Sequence, residues 1–471
     1  MSLAIVWFRR DLRLSDNPAL AAALGDHAQV LPIYLHAPEE DDAWAPGAAS
    51  RWWLHRALDD LSHQLGGRLL LRRGDSLATL VALVERSGAA AVYWNRLYEP
   101  AAIARDTRVK QALRAAGVEA RSFNAALLFE PWDVSNKQHR PFRVFTPFWK
   151  RLQADGLPRR PVPVPGVHRR LITAQAFAGL GGLGLDTLEL LPEIAWDAGI
   201  AESWQPSREA AEARLDEFLA CDIRRYATGR DLPAKDQVSR LSPYLHFGQL
   251  GPREISAACD AAGEPASAFL REIGWREFAH HLLYHYPHTA ESPMDVRFDA
   301  FPWREDPLGL AAWQRGETGI PMVDAGMRQL WVTGWMHNRV RMIVASFLTK
   351  NLLLSWQSGA RWFWETLVDA DLASNSLGWQ WTAGCGADAA PYFRVFNPVL
   401  QGEKFDPAGT YVRRWLPELA NLPDRWVHQP WAAPAAVLTG AGLRLGSDYP
   451  RPVVDIKASR RRALDAWGQV K

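Results

Sequence analysis

LAIVWFRRDLRLSDN, residues 3–17, gathers six apolar residues and then breaks off at Arg9, Arg10 and Asp11. The apolar run is too short for the core of a signal peptide or for a membrane span, so it predicts a first strand. Four runs of the same kind follow: AQVLPIYLH (28–36), RLLLRRG (68–74), AAVYWN (90–95) and VEARSF (118–123). Helical patterns lie between them near residues 51–65, 76–87 and 99–116. This alternation predicts an α/β domain over residues 1–125, a five-stranded parallel, doubly wound sheet with helices on both faces. Such sheets often bind nucleotides at their carboxyl edge. Here no G-x-G-x-x-G opens a helix after the first strand and no G-x-x-x-x-G-K-[ST] occurs, so NAD and ATP chemistry lose support.

Residues 126–200 contain PFRVFTPFWK (141–150), RRPVPVPGVHRR (159–170) and a Gly- and Leu-rich run, the composition of a linker that wraps over a surface. Beyond Trp204 the patterns are helical almost throughout: residues 207–220, 267–285, 321–333, 337–356 and 360–375. The expected division is therefore 1–125 α/β, 126–200 linker and 201–471 all-α.

With 471 residues and 48% hydrophobic content, the chain can bury a large core. Its 54 basic and 52 acidic residues leave a net charge of only +2, so any nucleic-acid-binding surface has to be local. Cys221, Cys259 and Cys385 are odd in number and widely spaced. They argue against a disulfide framework or a cysteine zinc site and fit a reducing cytoplasm.

The chain spends 23 Trp, seven of them (Trp331, Trp335, Trp356, Trp362, Trp364, Trp379, Trp381) within residues 331–398, among Asn338, Arg339, Arg341, Asp369, Asp371 and Asn375. Indole rings fill cores, but they also stack on flat heterocycles and hold flipped bases. Their clustering with charges points to a buried, redox-active aromatic ligand. Asn338 and Met342 share a helix face beside Arg339 and Arg341, after a break at Gly334, although an ordinary amphipathic helix reads the same way. Glu272 and Trp275 lie at i and i+3 with Arg276 beside them: a carboxylate and an indole for a base edge, or a capping or ion-pair glutamate. Asp369 and Asp371 form an ion-pair set with Arg341 or hold the polar edge of a cofactor. His280, His281, His285 and His288 include a helical zinc spacing at 281 and 285, but no third ligand accompanies it, so no metal site is expected.

VSRLSPYLHFGQL (238–250), WREF (275–278), GMRQLWVTGWMHNRVRM (326–342), DADLASNSLGWQW (369–381) and YFRVFNP (392–398) occur in that order, after VWFRRDLRLSDNPAL (6–20). Together they resemble the photolyase and cryptochrome family along nearly the whole chain. The likeness is greatest to bacterial photolyases for cyclobutane pyrimidine dimers.

The resemblance implies FAD buried in the helical domain, held by Tyr226, Ser239, Arg240, Leu241, Ser242, Arg276, Arg341, Asp369, Asp371 and Asn375, with Asn375 facing the flavin N5. It implies an electron-transfer chain of Trp379, Trp356 and Trp303, from flavin to solvent. Glu272, Trp275, Asn338, Met342 and Trp381 would line the pocket for the damaged dinucleotide, which such enzymes flip out of the duplex. Lys150, Arg230, Arg339 and Arg394 would contact DNA phosphates. The implied reaction is light-driven: excited, reduced FAD gives an electron to the dimer, the ring splits, and the electron returns, with Glu272 hydrogen-bonded to the dimer. The family also implies an antenna chromophore of folate or deazaflavin type in the first domain. Where folate-using members carry Asn-Glu this chain has Ala101 and Ala102, and their folate-contacting Lys is not evident, so the chromophore's identity stays open. The implied partner is UV-damaged DNA, bound by a monomer with no membrane and no obligate protein partner.

Three other readings compete. A cryptochrome would signal without repair, which the presence of Glu272, Trp275 and Met342 and the absence of a long disordered extension after Lys471 are expected to disfavour. A (6-4) photolyase would place histidines where Asn338 and Met342 stand, with His337 on another side of the helix. A light-independent flavoprotein would turn over reductant in the dark.

Overall fold

The computed structural model describes residues 2–470 apart from 159, 165, 178–179 and 264–265. Arg159, Pro165, Ala178 and Gly179 of the expected linker therefore lie outside the described residues.

Five strands, β1 (Leu3–Phe8), β2 (Gln29–His36), β3 (Leu70–Arg73), β4 (Ala91–Asn95) and β5 (Glu119–Phe123), form one parallel sheet in the order β3-β2-β1-β4-β5. Alternation along β1 sends Ala4, Val6 and Phe8 into one apolar cluster and Leu3, Ile5 and Trp7 into another. Both faces are thus covered, as a parallel sheet requires. The crossover helices are α1 (Pro18–Asp26), α2 (Ala48–Gln64), α3 (Ser76–Ser87) and α4 (Pro100–Ala115). Helix α1 is an addition to the sequence reading. Asn17 caps it by accepting from the Leu20 amide at 3.1 Å, and Pro18 opens it.

Strand order reverses beside β1, and at the carboxyl ends there lies a cavity of about 390 Å³. Trp7, Arg9, Arg10 and Ala101 line it from the sheet side, and His246 and Trp364 from the helical region.

The 126–200 segment is more ordered than its composition suggests. Helix α5 (Phe145–Asp155) buries Phe145, Phe148 and Leu152 against Phe278 and Leu282. Those partners sit on α6 (Ser267–His285), which is followed by α7 (Pro321–Thr333), α8 (Asn338–Ser346), α9 (Trp356–Thr366), α10 (Leu372–Ala383) and the C-terminal α11 (Ile456–Val470). Two continuous helical patterns are broken. After α8 the chain widens into a π-helical turn (Phe347–Leu352), Leu353 turns left-handed (φ 61°), and Ser355 caps α9. Between α9 and α10 the backbone extends at Leu367, and Asp371 starts a new helix by accepting from the Ser374 amide at 2.8 Å. Each break ends at a residue, Ser355 or Asp371, whose side chain accepts a backbone N–H of the helix that follows. Among the described residues no helix is long and apolar enough to cross a membrane.

Candidate active site

Helix α10 packs against α6, α8 and α9, yet one of its faces stays accessible. Ala373, Ser376, Trp379 and Gln380 are buried, whereas Ser374 and Gly378 are exposed and Asn375 and Trp381 only half-buried. A methyl group placed on Gly378 would find no atom within 4 Å. Glu272, Trp275 and Arg276 on α6 and Arg341 and Met342 on α8 are likewise half-buried, and Asn338 is exposed. The accessible side chains on α6, α8 and α10, with free space beside Gly378, outline a hollow between these helices.

The two rims of the hollow are tied by consecutive residues. The Arg230 guanidinium pairs with the Glu272 carboxylate of α6, and Asp231 accepts Arg339 Nη2 of α8 at 2.8 Å. Burial alone would lower the Arg230 pKa, but the hydrogen bond and charge of Glu272 outweigh it and raise it. The same guanidinium lies 5.4 Å over the buried Tyr226 ring. Arg339 also reaches Met342 Sδ at 3.8 Å. Arg230 and Arg339, expected at DNA phosphates, are therefore both engaged with carboxylates here.

Deeper in, α8 and the extended stretch before α10 build a polar corner. Arg341 Nη2 donates to both Asp369 oxygens at 3.1 and 2.8 Å, its Nε donates to the Met336 carbonyl at 2.8 Å, and Ser242 Oγ donates to Asp369 Oδ2 at 2.6 Å. The break between α9 and α10 is what swings Asp369 onto Arg341. Asp371 does not join them. Its Oδ2 faces His246 Nδ1 and His280 Nε2, each at 3.5 Å. Burial would raise its pKa, but His280, the His246 hydrogen bond and Arg276 hold it well below the usual carboxylate range. Arg276 donates to the Ala126 carbonyl at 2.6 Å and Asn375 Nδ2 to the Ala360 carbonyl at 3.0 Å. Ser239 Oγ accepts from the Leu241 amide at 3.4 Å, Leu241 is buried, and Arg240, left-handed at φ 52°, lies 5.2 Å over Trp335.

Trp275 is not a lone indole. Phe145 of α5 stacks on it with centroids 3.8 Å apart and planes 7° apart, and Trp149 stacks on Phe145 at 6.3 Å and 9°. Gly274 leaves the room for Trp149, and the Phe145 amide donates to Asp388 Oδ2 at 3.1 Å. Sequence reading missed Phe145 and Asp388. PFRVFTPFWK, an aromatic run in a stretch taken for linker, was the available signal.

Trp379 and Trp356 are buried, and Trp379 Nε1 has no hydrogen-bond partner among the described residues. The Trp379 ring lies against Gly359, one turn beyond Trp356 in α9. Trp356 and Trp303 line one hollow of about 460 Å³. Trp313, which sequence reading passed over, packs 6.1 Å from Trp379 and anchors its own indole on the Val344 carbonyl at 3.0 Å. Lys150 and Arg394 are exposed and have no carboxylate partner among the described residues.

The histidines serve packing. His281 Nε2 accepts from the Phe142 amide at 3.1 Å, and His285 Nε2 lies 3.0 Å from the Pro131 carbonyl. Among the described residues no three candidate ligands converge. His337 caps α8 by accepting from the Arg339 amide at 3.2 Å, and burial pushes its pKa down to about 4.

Two family models match in order: DNA photolyase over residues 4–166, and the FAD binding domain of DNA photolyase over 269–469. The deoxyribodipyrimidine photo-lyase of Agrobacterium fabrum is 47% identical, covering 99% of this chain and 98% of its own. Cryptochrome-1 of Arabidopsis thaliana is 40% identical over 99% of this chain and 70% of its own. A crystal structure of a bacterial class III photolyase from Agrobacterium tumefaciens superposes with a TM-score of 0.95 at 45% identity, covering 100% of this chain and 98% of that one. A sheet domain and a hollow helical domain that match one family's two models in order, with such identity over nearly the whole length, place the chain in the photolyase and cryptochrome family.

Proposed function

We propose that the protein repairs cyclobutane pyrimidine dimers in DNA, in light, with FAD in the hollow of its helical domain. The observation that carries this reading is the hollow itself. Its floor is the Arg341–Asp369–Ser242 corner, and its mouth bears Glu272, Trp275, Asn338, Met342 and Trp381. The residues fit a large, planar group with a polar edge: space beside Gly378, the Asn375 amide on the same helix, and the Arg341–Asp369 pair. Tyr226, Ser239, Arg240, Leu241, Ser242, Arg276, Arg341, Asp369 and Asn375 would hold it, and Asp371 would act through His246 and His280. Bound and reduced, FAD supplies the light-driven electron that opens the cyclobutane ring.

The chain's own work is recognition. Trp275 and Trp381 stack on the two bases, since a stacked base gains about 1–3 kcal/mol on an aromatic ring. Glu272, paired with Arg230, accepts a hydrogen bond from the dimer's base edge. Arg230 and Arg339 shift from their carboxylates toward phosphate as DNA docks, beside Lys150 and Arg394. Trp379, Trp356 and Trp303 carry electrons inward from solvent. The 390 Å³ cavity at the sheet's carboxyl edge is the place for an antenna chromophore. The working unit is a cytoplasmic monomer, divided as 1–125, 126–200 and 201–471. His337, neutral at physiological pH by its lowered pKa and turned into a helix cap, is a poor proton donor for a (6-4) lesion.

The test is repair of a defined thymine dimer by the purified, anaerobically reduced protein, in near-UV or blue light and in darkness. Light-dependent recovery of two thymines supports the reading. Bound, photoreducible FAD without repair moves the protein to the cryptochromes, and turnover of reductant in the dark makes it a light-independent flavoprotein. Trp379→Phe is expected to lose most photoreduction while keeping repair once the flavin is reduced chemically.

A further inference from the structure

The chain's charge is balanced overall, but residues 134–150 contain Lys137, Arg140, Arg143 and Lys150 and no Asp or Glu. All four cations are exposed, and none has a carboxylate partner among the described residues. This sets the segment apart from the pocket rims, where Arg230 and Arg339 are neutralised by Glu272 and Asp231.

The first three cations sit on a built turn. The Asn136 amide donates to the Arg140 carbonyl and the His139 amide to the Asn136 carbonyl, both at 2.9 Å. Asn136 Oδ1 accepts from the amides of Gln138 and Arg140 at 2.9 and 3.0 Å, and His139 is left-handed at φ 56°. An asparagine that satisfies the turn's own amides fixes the loop without using its cationic side chains. The turn is also pinned to α6. The Phe142 amide donates to His281 Nε2, and Arg143 Nε donates to the Tyr286 hydroxyl at 2.9 Å. A groove of about 570 Å³ runs along it, lined by Arg140, Phe142, Arg143 and Val144.

Its place is set by Phe145, stacked on Trp275 at the mouth of the hollow. Arg140 is five residues from Phe145, which at ~3.3–3.6 Å per residue puts it within roughly 18 Å of that mouth. Phosphates follow one another every ~3.4 Å along a strand's axis. A duplex docked over the mouth therefore carries about five phosphates across this span.

We propose that the 136–143 turn is a phosphate-binding ledge for the DNA strand flanking the lesion, with Lys137, Arg140 and Arg143 as its contacts. The inference rests on the repair reading for its partner and extends it beyond the lesion pocket. Fixed on α6, the ledge grips damaged and undamaged backbone alike, and so contributes to search and registration rather than to lesion choice.

The experiment compares wild type with the double variant Lys137→Gln, Arg140→Gln. Binding of a ~30-base-pair duplex, with and without one thymine dimer, is followed between 50 and 200 mM KCl. Each phosphate contact contributes about 0.9 to the slope of log K against log salt. The double variant should have a slope shallower by roughly 2 on both duplexes, and weaker binding at low salt. Repair of an isolated dimer dinucleotide, which has no flanking phosphates, should be unchanged, as should flavin content and the unfolding midpoint. Unaltered slopes with the variant folded overturn the ledge, whatever the repair assay shows. Shallower slopes in a protein that repairs neither substrate keep the ledge and overturn the repair reading instead.

Discussion

Two sets of tryptophans, one in each half of the molecule, are used in opposite ways. In the sheet domain Trp7, Trp52, Trp53 and Trp94 are buried to within 1% of full exclusion, and Trp53 and Trp94 settle their indole N–H groups on Gln249 and Asp106. In the helical domain Trp275 and Trp381 are left half-accessible although the helices around them are packed. The first set fills volume. The second set lines volume that packing has left open. A large aromatic residue excluded from a core it could fill marks a site kept for another ring, and that contrast says more than the total of 23.

Removing a ring from each region breaks or sharpens the comparison most directly. Trp94→Ala, in the sheet core, should cost about 3–5 kcal/mol of unfolding free energy, measured by denaturant titration. Trp381→Ala should cost less than about 1 kcal/mol while weakening binding of dimer-containing DNA. Equal costs would mean that the helical region has no hollow at Trp381.

A smaller effect is expected at the rim. Glu272→Gln keeps shape and removes the charge that Arg230 holds. Hydrogen bonds to charged groups contribute about 1.5–3 kcal/mol, so dimer affinity should fall roughly ten- to a hundredfold. The unfolding midpoint should barely move, since the pair is partly solvated. A large loss of stability with unchanged affinity would make the pair a structural strut.

The smallest effect concerns the seam between α5, α6 and the preceding segment. Burial, with His285 nearby, pushes the His281 pKa down to about 3 from an ordinary 6.5. The unfolded chain therefore takes up a proton below pH 6.5 that the folded one refuses. This contribution is full above pH 6.5 and is lost as pH falls toward 3, by up to about 1.4 kcal/mol per pH unit. Glu277 beside it acts with the opposite sign. Burial raises it to about 7, so its folded form keeps a proton that the unfolded chain releases above pH 4.5, and it favours folding as pH falls. Comparing His281→Gln with wild type isolates the histidine: the variant should lose less stability between pH 7 and pH 5 in urea titrations. Parallel losses would remove His281 as the source.

Much of the site was legible because its residues stand in dense local motifs. Glu272 with Trp275, and Asn338 with Met342, were placed on common faces by helical periodicity alone, which needs only residues three and four apart. Asp369 and Asp371 were not separable in that way. They are two apart, in a run that reads as one helix. Only the break before α10 sends one to Arg341 and the other to His246 and His280. Phe145 escaped notice because its partner Trp275 is 130 residues away and its own stretch has the composition of a linker.

The sequence by itself determined the strand and helix alternation, the two-domain order, the family, and the chemical types gathered for a flavin and a damaged dinucleotide. These depend on local periodicity and on motifs that need no knowledge of distant neighbours. The tertiary structure alone decided which carboxylate meets which cation, that Arg230 and Arg339 pair with carboxylates while Lys137, Arg140 and Arg143 have none among the described residues, and that α5 stacks on Trp275. Charge pairing and ring stacking are fixed by distances of 3–6 Å between residues far apart in the chain, and those distances exist only once the helices have packed.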